Sequence, residues 1–89
     1  MSKETIAAKM LKPILKQSMM PELLKMLDSL TMEQLTVDYL LGEFNKALAG
    51  HPDYQVTLTT VGWTDDNTRE VLKDLIPKLR KEKEKRLKH

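Results

Sequence analysis

Apolar residues recur every three or four positions, the spacing of a helix face, in three separate stretches of this 89-residue chain. These stretches fall within residues 5–30, 32–49 and 65–79. Only residues 54–63 combine β-branched and aromatic side chains in the manner of a strand. A lone strand leaves its backbone groups unpaired, so the spacing predicts a small, mostly α domain of three to four helices.

Prolines interrupt the first stretch, which we expect to form an irregular helical N-terminal arm. Pro13 has no N–H and clashes with the preceding turn, so it should kink the helix or start a new one. Pro21 suits the first position of a helix. The arm is therefore expected to divide into as many as three pieces.

The clearest helix boundary lies at Thr31, which forms a capping box with Gln34. It predicts a helix over residues 32–49, ended by a left-handed cap at Gly50 and by Pro52. The core face of this helix would be formed by Val37, Leu40, Leu41, Phe44 and Leu48.

Residues 54–63 are a candidate for a short strand before the last helix. Tyr54, Val56 and Leu58 would share one face, whereas Trp63 falls on the other, so the strand needs a bulge or a bend. Because the chain offers no second strand, the partner of this strand would come from another copy.

The last helix is expected to start at Thr64 or at one of the three residues after it, all of which are good helix caps. Pro77 should kink this helix or end its packed part. The predicted core positions are Val71, Leu72, Leu75, Ile76 and Leu79. We expect one small helical domain over residues 1–77, followed by a basic, partly helical tail over residues 78–89.

The formal net charge of +2 conceals an uneven distribution along the chain. Residues 78–89 carry seven Lys or Arg and two Glu, a net charge of +5, so the rest of the chain sums to −3. Such segregation favours self-association of the tail with the middle, or binding to a polyanion such as nucleic acid. A solvated helix end is the third interpretation.

Several classes of function have no residues to support them. The chain has no Cys, which excludes disulfides and thiolate metal sites and fits a reducing compartment, so we expect a cytoplasmic protein. The longest apolar run is three residues, far short of the roughly 20 that span a bilayer. His51 and His89 are far apart, and neither a catalytic triad nor a phosphate-binding loop is visible. We therefore expect no metal, cofactor, small-molecule substrate or catalytic activity.

Residues 61–72, with Gly62 followed nine positions later by Val71, resemble the turn and recognition helix of helix-turn-helix proteins. The resemblance implies a DNA-binding protein whose second helix lies in the major groove. Thr68 departs from that family, which usually has an apolar residue at this position. The residues facing DNA would be Asp66, Asn67, Arg69 and Lys73, supported by Arg80, Lys81, Lys83, Lys85, Arg86 and Lys88 of the tail.

The N-terminal arm is rich in Met, with five between residues 10 and 32. Flexible thioethers suit adaptable binding surfaces, and they suit a core equally well. Because the arm has more apolar residues than one neighbouring helix can cover, we expect it to associate with another copy or with another protein. The candidate partner-binding residues are Met10, Met19, Met20, Leu23, Met26, Tyr54 and Trp63.

The preferred hypothesis is a small, non-catalytic protein-interaction module that self-associates and has a regulatory or structural role. The alternative is a helix-turn-helix DNA-binding protein that uses residues 62–73 and the basic tail. A short chain of this kind would also suit an accessory protein of a phage or mobile element.

Overall fold

The computed structural model of the chain describes residues 5–88, and in that range it contains four α-helices and no strand. The helices are α1 (Ile6–Met26), α2 (Val37–Ala49), α3 (Pro52–Thr60) and α4 (Asp65–Leu87). Two short 3₁₀ turns, Leu27–Ser29 and Met32–Gln34, connect α1 to α2. The mostly α fold is thereby confirmed, and the candidate strand is wrong.

The prediction that prolines divide the N-terminal arm is also wrong, because α1 is one uninterrupted helix of 21 residues. A proline leaves without a donor the carbonyl four residues before it. For Pro13 this carbonyl belongs to Lys9, and Lys9 is exposed. For Pro21 it belongs to Gln17, which is exposed as well. Water can bond both carbonyls, while packing of the flanking apolar residues holds the helix together.

Pro77 likewise lies inside α4, and the packed part of the helix continues beyond it, contrary to expectation. The carbonyl that loses its donor belongs to Lys73, which is exposed. After Pro77, Leu79 is fully buried and Lys83 is only 9% exposed. α4 therefore packs against the rest of the molecule well into the basic tail.

α1 and α4 run parallel and are joined by two ion pairs. Lys12 Nζ donates to a carboxylate oxygen of Glu70. One turn later, Lys16 Nζ lies 2.7 Å from Asp74 Oδ2. Both pairs join residues that are 58 positions apart, which requires the two helices to run in the same direction.

α2 also packs along α4 and runs antiparallel to it. Asn45, near the end of α2, bonds Asp65 at the start of α4. The carbonyl of Leu35, just before α2, accepts from Arg80 near the other end of α4. The buried core between the helices consists of Leu23, Leu27, Leu30, Leu35, Leu40, Leu41, Val71, Leu72, Leu75, Ile76 and Leu79. All five core positions predicted for the last helix are buried, which confirms that part of the prediction.

The capping box between Thr31 and Gln34 is present, as predicted. It caps only the 3₁₀ turn Met32–Gln34, however, and the predicted helix start at residue 32 is too early. α2 begins at Val37, where the Thr36 side chain provides the cap. The break between the turn and the helix places Leu35 in the core, where it is fully buried.

The left-handed cap predicted at Gly50 is wrong, since Gly50 has a φ of −83°. Within residues 5–88, the left-handed residue is Gly62, with a φ of 80°, in the turn between α3 and α4. A Cβ on Gly62 would lie 2.7 Å from Thr5 Cγ2 at the start of α1. Both the backbone conformation and this close approach therefore require glycine.

Residues 54–60 lie in helix α3 because a helix satisfies their backbone locally, whereas residues 5–88 offer no strand to pair with. Pro52 occupies the first turn, where its missing N–H is not needed. Three threonines of α3 donate side-chain hydrogen bonds to carbonyls one turn earlier, at 2.8–2.9 Å. Such bonds give threonine a second favourable helical rotamer. Residues 54–60 are therefore not available as a strand that pairs with the same segment of a second chain, contrary to the expectation from the sequence.

Candidate functional site

α1 and α2 each pack along α4 but make little contact with each other, and an open groove lies between them. Its volume is about 710 Å³. The groove is lined by Ser18, Met19, Glu22, Leu23, Met26, Leu40, Glu43, Phe44, Lys46, Ala47, His51 and Leu72. Its walls are therefore α1 and α2, with a single residue contributed by α4.

The groove is apolar at its base and partly uncovered at its walls. Leu23, Leu40 and Leu72 are buried core residues that reach it from three different helices. Phe44 is half-buried, and Met26 is 40% exposed. An apolar surface left open in this way favours a partner that covers it.

The charged residues of the groove are of both signs. Glu22 on α1 is paired with Lys25 at 3.5 Å, whereas Glu43 on α2 lies in the groove near Lys46 and His51. The Glu43 carboxylate raises the pKa of the neighbouring Tyr39 hydroxyl above 10.0, chiefly through a hydrogen bond. Glu43 is therefore the carboxylate of the groove that a basic side chain of a partner would meet.

A second apolar surface lies on the N-terminal half of α1. Ile6, Met10 and Ile14 recur at every fourth position and are 79%, 68% and 59% exposed. Ala8, on the same half of the helix, is fully buried, so these three side chains lie on the opposite face of α1 from the core. We call Ile6, Met10 and Ile14 the apolar stripe.

Most of the predicted partner-binding residues lie at one of these two surfaces. Met19, Leu23 and Met26 line the groove. Met10 lies in the apolar stripe. Tyr54 is exposed on α3, where its ring meets the His51 ring edge-on at 5.9 Å between centroids.

The remaining two predicted partner-binding residues, Met20 and Trp63, contribute to the packing of the fold and lie at neither surface. Met20 packs against the core. Trp63 is half-buried, and its indole Nε1 donates to Thr68 Oγ1 at 2.8 Å. Thr68 is buried, at the position where helix-turn-helix proteins usually have an apolar residue. The hydrogen bond from Trp63 explains how this polar side chain is accommodated there.

Sequence reasoning missed part of both surfaces. Phe44 is predicted to face the core, and Ala47 falls outside the predicted core face, yet both line the groove. Ile6 and Ile14 have the spacing of a core face, and only the packing on α4 decides which side of the broad apolar face stays exposed. The apolar face of α1 is wider than one neighbouring helix can cover, and this width is the feature of the sequence that indicates an exposed apolar surface.

The predicted nucleic-acid-binding residues of the tail divide into two sets. Arg80, Lys83 and Arg86 donate to backbone carbonyls at distances of 3.0–3.2 Å. The acceptors are the carbonyls of Leu35, Leu27 and Leu24, respectively. These bonds join α4 to the end of α1 and to the connection between α1 and α2. Lys83 is buried, whereas Arg80 and Arg86 make these bonds and stay partly exposed to solvent.

The second set is exposed and follows one face of α4. It consists of Lys81, Lys85 and Lys88, which the sequence predicted, and of Lys78, which it missed. Their spacing of three, four and three positions keeps all four on the same side of the helix. We call these four residues the lysine stripe.

The start of α4 is poorly suited to approach DNA. Asn67 is 5% exposed, and its side chain accepts from the Thr64 backbone N–H at 2.9 Å. Arg69 bonds Asp66 at 3.3 Å, whereas Lys73 is exposed. The exposed acids of this segment are Asp65, Asp66, Glu70 and Asp74. Glu70 and Asp74 are paired with Lys12 and Lys16 of α1, so Asp65 and Asp66 in the first turn of α4 are the acids that would repel phosphate.

Comparison of the chain with protein-family models, curated proteins and solved structures gave no match. Within residues 5–88, no three His, Asp or Glu side chains are grouped so as to hold a metal ion, and His89 lies outside the described residues. No helix in this part of the chain is long and apolar enough to cross a bilayer.

Proposed function

We propose that this chain is a small, non-catalytic protein-interaction module that associates with copies of itself through the groove between α1 and α2. The observation that carries the proposal is the open apolar groove of about 710 Å³. Many interaction modules bind a partner by taking the apolar face of an amphipathic helix into such a groove. A regulatory or structural role in the cytoplasm fits a chain without Cys.

The side chains of the groove support binding of a helix. Leu23, Leu40 and Leu72 belong to the buried core, so the base of the groove is fixed by the fold. Met19 and Met26 at the wall have flexible thioether side chains that adapt to the shape of a partner. A fixed base with adaptable walls favours burial of apolar side chains from another helix.

Light scattering from micromolar to millimolar concentration tests the proposed self-association. We expect the mass to rise above that of a monomer, and Ala47→Glu to move this rise to higher concentration, since a carboxylate would enter the apolar groove. Ala49→Glu is the matched control, because Ala49 is an exposed residue of the same helix outside the groove. A monomer mass across the whole range would exclude self-association. Equal effects of the two variants would exclude the groove as its site.

DNA binding is a second candidate function, favoured by the order of α3 and α4. Residues 52–60 are helical, a turn with Gly62 in left-handed conformation follows, and α4 begins at Asp65. This order supports the resemblance to helix-turn-helix proteins. The acidic start of α4 places the candidate second. Retention of a DNA duplex that depends on Arg69 and Lys73 would favour it over self-association.

A further inference from the structure

We propose that the groove of one copy is filled by the apolar stripe of a second copy, so that Ile6, Met10 and Ile14 of one chain lie between α1 and α2 of the other. This inference rests on the proposed self-association and identifies the two surfaces that form the contact.

The apolar stripe and the groove share one helix and cannot meet within a single molecule. α1 is continuous from Ile6 to Met26, so its N-terminal half cannot fold back onto its C-terminal half. At a rise of about 1.5 Å per residue, a continuous helix holds Met10 about 24 Å from Met26. The contact must therefore form between copies.

The apolar stripe has the form of a segment that docks in a groove. Its three side chains occupy every fourth position of a helix and extend over about 12 Å of its length. Such a row is the usual set of anchors when an amphipathic helix enters an apolar groove. All three side chains are more than half exposed, so docking would remove apolar surface from water.

The charges near the two surfaces are complementary. Residues 5–21 contain three lysines and no acidic residue. Two of these lysines bond acids of α4, and the third, Lys9, is exposed beside Met10. In the groove of the second copy, Glu22 is paired with Lys25 at 3.5 Å, and Glu43 is the carboxylate that faces a docking helix. Lys9 would thus approach the Glu43 carboxylate.

The accessible surface of the chain is large enough to supply such an interface. It amounts to 6307 Å², whereas a compact monomer of 10.3 kDa exposes about 5,400 Å². The excess of about 900 Å² over the whole chain is comparable with the share of about 800 Å² that one partner contributes to a stable interface of standard size, and the exposed apolar stripe is part of this surface.

Complementation between two variants tests the proposal. Met10→Glu damages the apolar stripe and keeps the groove, whereas Ala47→Glu damages the groove and keeps the stripe. Each change should raise the dissociation constant of self-association by roughly tenfold or more, because a carboxylate would be buried among apolar side chains. Mixed in equal amounts, the two variants should form a dimer by sedimentation at concentrations at which each alone is monomeric. Val56→Glu, at an exposed apolar residue of α3, is the control that should associate like the unmodified chain.

The other outcomes separate the contact from the proposed function. If the unmodified chain associates and either groove or stripe variant associates equally well, the stripe-in-groove contact is wrong while self-association stands. A mixture that stays monomeric would also overturn this contact. If the unmodified chain is itself monomeric, both proposals fail. Circular dichroism should give all variants the helix content and melting temperature of the unmodified chain, because all three positions are exposed.

Discussion

At the scale of single residues, Lys83 shows how part of the basic tail is taken into the fold. It is 9% exposed, and its Nζ donates to the carbonyl oxygen of Leu27 at 3.0 Å. Leu27 follows the last residue of α1, where helix carbonyls have no intrahelical partner. A charged donor makes this a stronger hydrogen bond than a neutral one. Lys83 therefore closes the end of α1 and joins it to α4.

We expect Lys83→Met to lower the free energy of unfolding by about 1–3 kcal/mol, because the Leu27 carbonyl would lose its charged donor and keep only the Leu30 backbone N–H. Lys81→Met is the control, since Lys81 is exposed on the same helix. Urea denaturation followed by circular dichroism gives both values. Equal midpoints for the two variants would contradict a structural role for Lys83.

The difference between Thr31 and Lys83 shows what a sequence predicts at this scale. The bonds between Thr31 and Gln34 join residues three positions apart, so the pattern of residue types is sufficient to predict them. The bond from Lys83 to Leu27 spans 56 positions and depends on how two helices pack. Lys83 and Lys81 therefore look alike in the sequence and have different roles in the structure.

At the scale of helices, the parallel alignment of α1 and α4 depends in part on the pair of Lys16 and Asp74. The Lys16 ammonium holds the pKa of the Asp74 carboxyl below its ordinary value of 3.8, first by a hydrogen bond and then by its charge. Because this pKa is lower in the folded chain than in the unfolded chain, the pair stabilises the fold above pH 3.8. The stabilisation is lost as the pH falls through the lowered pKa.

We expect Asp74→Asn to make the melting temperature less dependent on pH below 3.8 than it is in the unmodified chain. The effect should be small because the pair is exposed to solvent. Asp53→Asn, at the exposed start of α3, is the control for loss of a carboxylate. Thermal melts recorded by circular dichroism across this pH range provide the test. A pH profile identical to that of the unmodified chain would show that the pair does not contribute.

Helix faces were predictable where neighbouring helices cover the whole apolar face, as in α4. The apolar spacing from Val71 to Leu79 identifies the buried face, since that face packs on α1 and α2 together. α3 was not predictable, because its β-branched residues favour a strand, and the helix is preferable only because residues 5–88 contain no partner strand. The prolines were misleading because their effect depends on whether the unbonded carbonyls reach water.

At the scale of the whole molecule, the basic tail is less available to polyanions than its charge of +5 implies. Arg80, Lys83 and Arg86 bond carbonyls within the molecule. The lysine stripe is exposed on one face of α4. Four aligned lysines are enough for weak attraction to phosphate, without groups that would read a base sequence.

We therefore expect weak retention of a DNA duplex at low salt, lost on replacing all four residues of the lysine stripe by Gln. Arg69→Ala should leave the retention unchanged, because Arg69 already pairs with Asp66 at the acidic start of α4. Gel retardation at several salt concentrations measures both effects. If Arg69→Ala, with the lysine stripe intact, no longer retards the DNA duplex, the result would instead favour recognition of DNA by the start of α4.

The proposed interface places one helix of each copy in the other copy, in a molecule that measures 44 × 24 × 21 Å. Site-specific disulfide formation tests this arrangement most directly, because the chain has no Cys of its own. Met10→Cys places a thiol on the apolar stripe, and Ala47→Cys places one in the groove. A disulfide requires a separation of about 4.4–6.8 Å between Cα atoms, so it would form only if Met10 of one copy enters the groove beside Ala47 of the other.

The decisive measurement is the yield of the mixed disulfide dimer when Met10→Cys and Ala47→Cys chains are combined under mild oxidation. A stripe-in-groove contact predicts a high yield that falls when excess unmodified chain competes for the groove. The control pair, Met10→Cys with Lys78→Cys, should give little product, because Lys78 lies on the exposed face of α4 outside the groove. Equal yields for the two pairs would contradict docking of the apolar stripe in the groove.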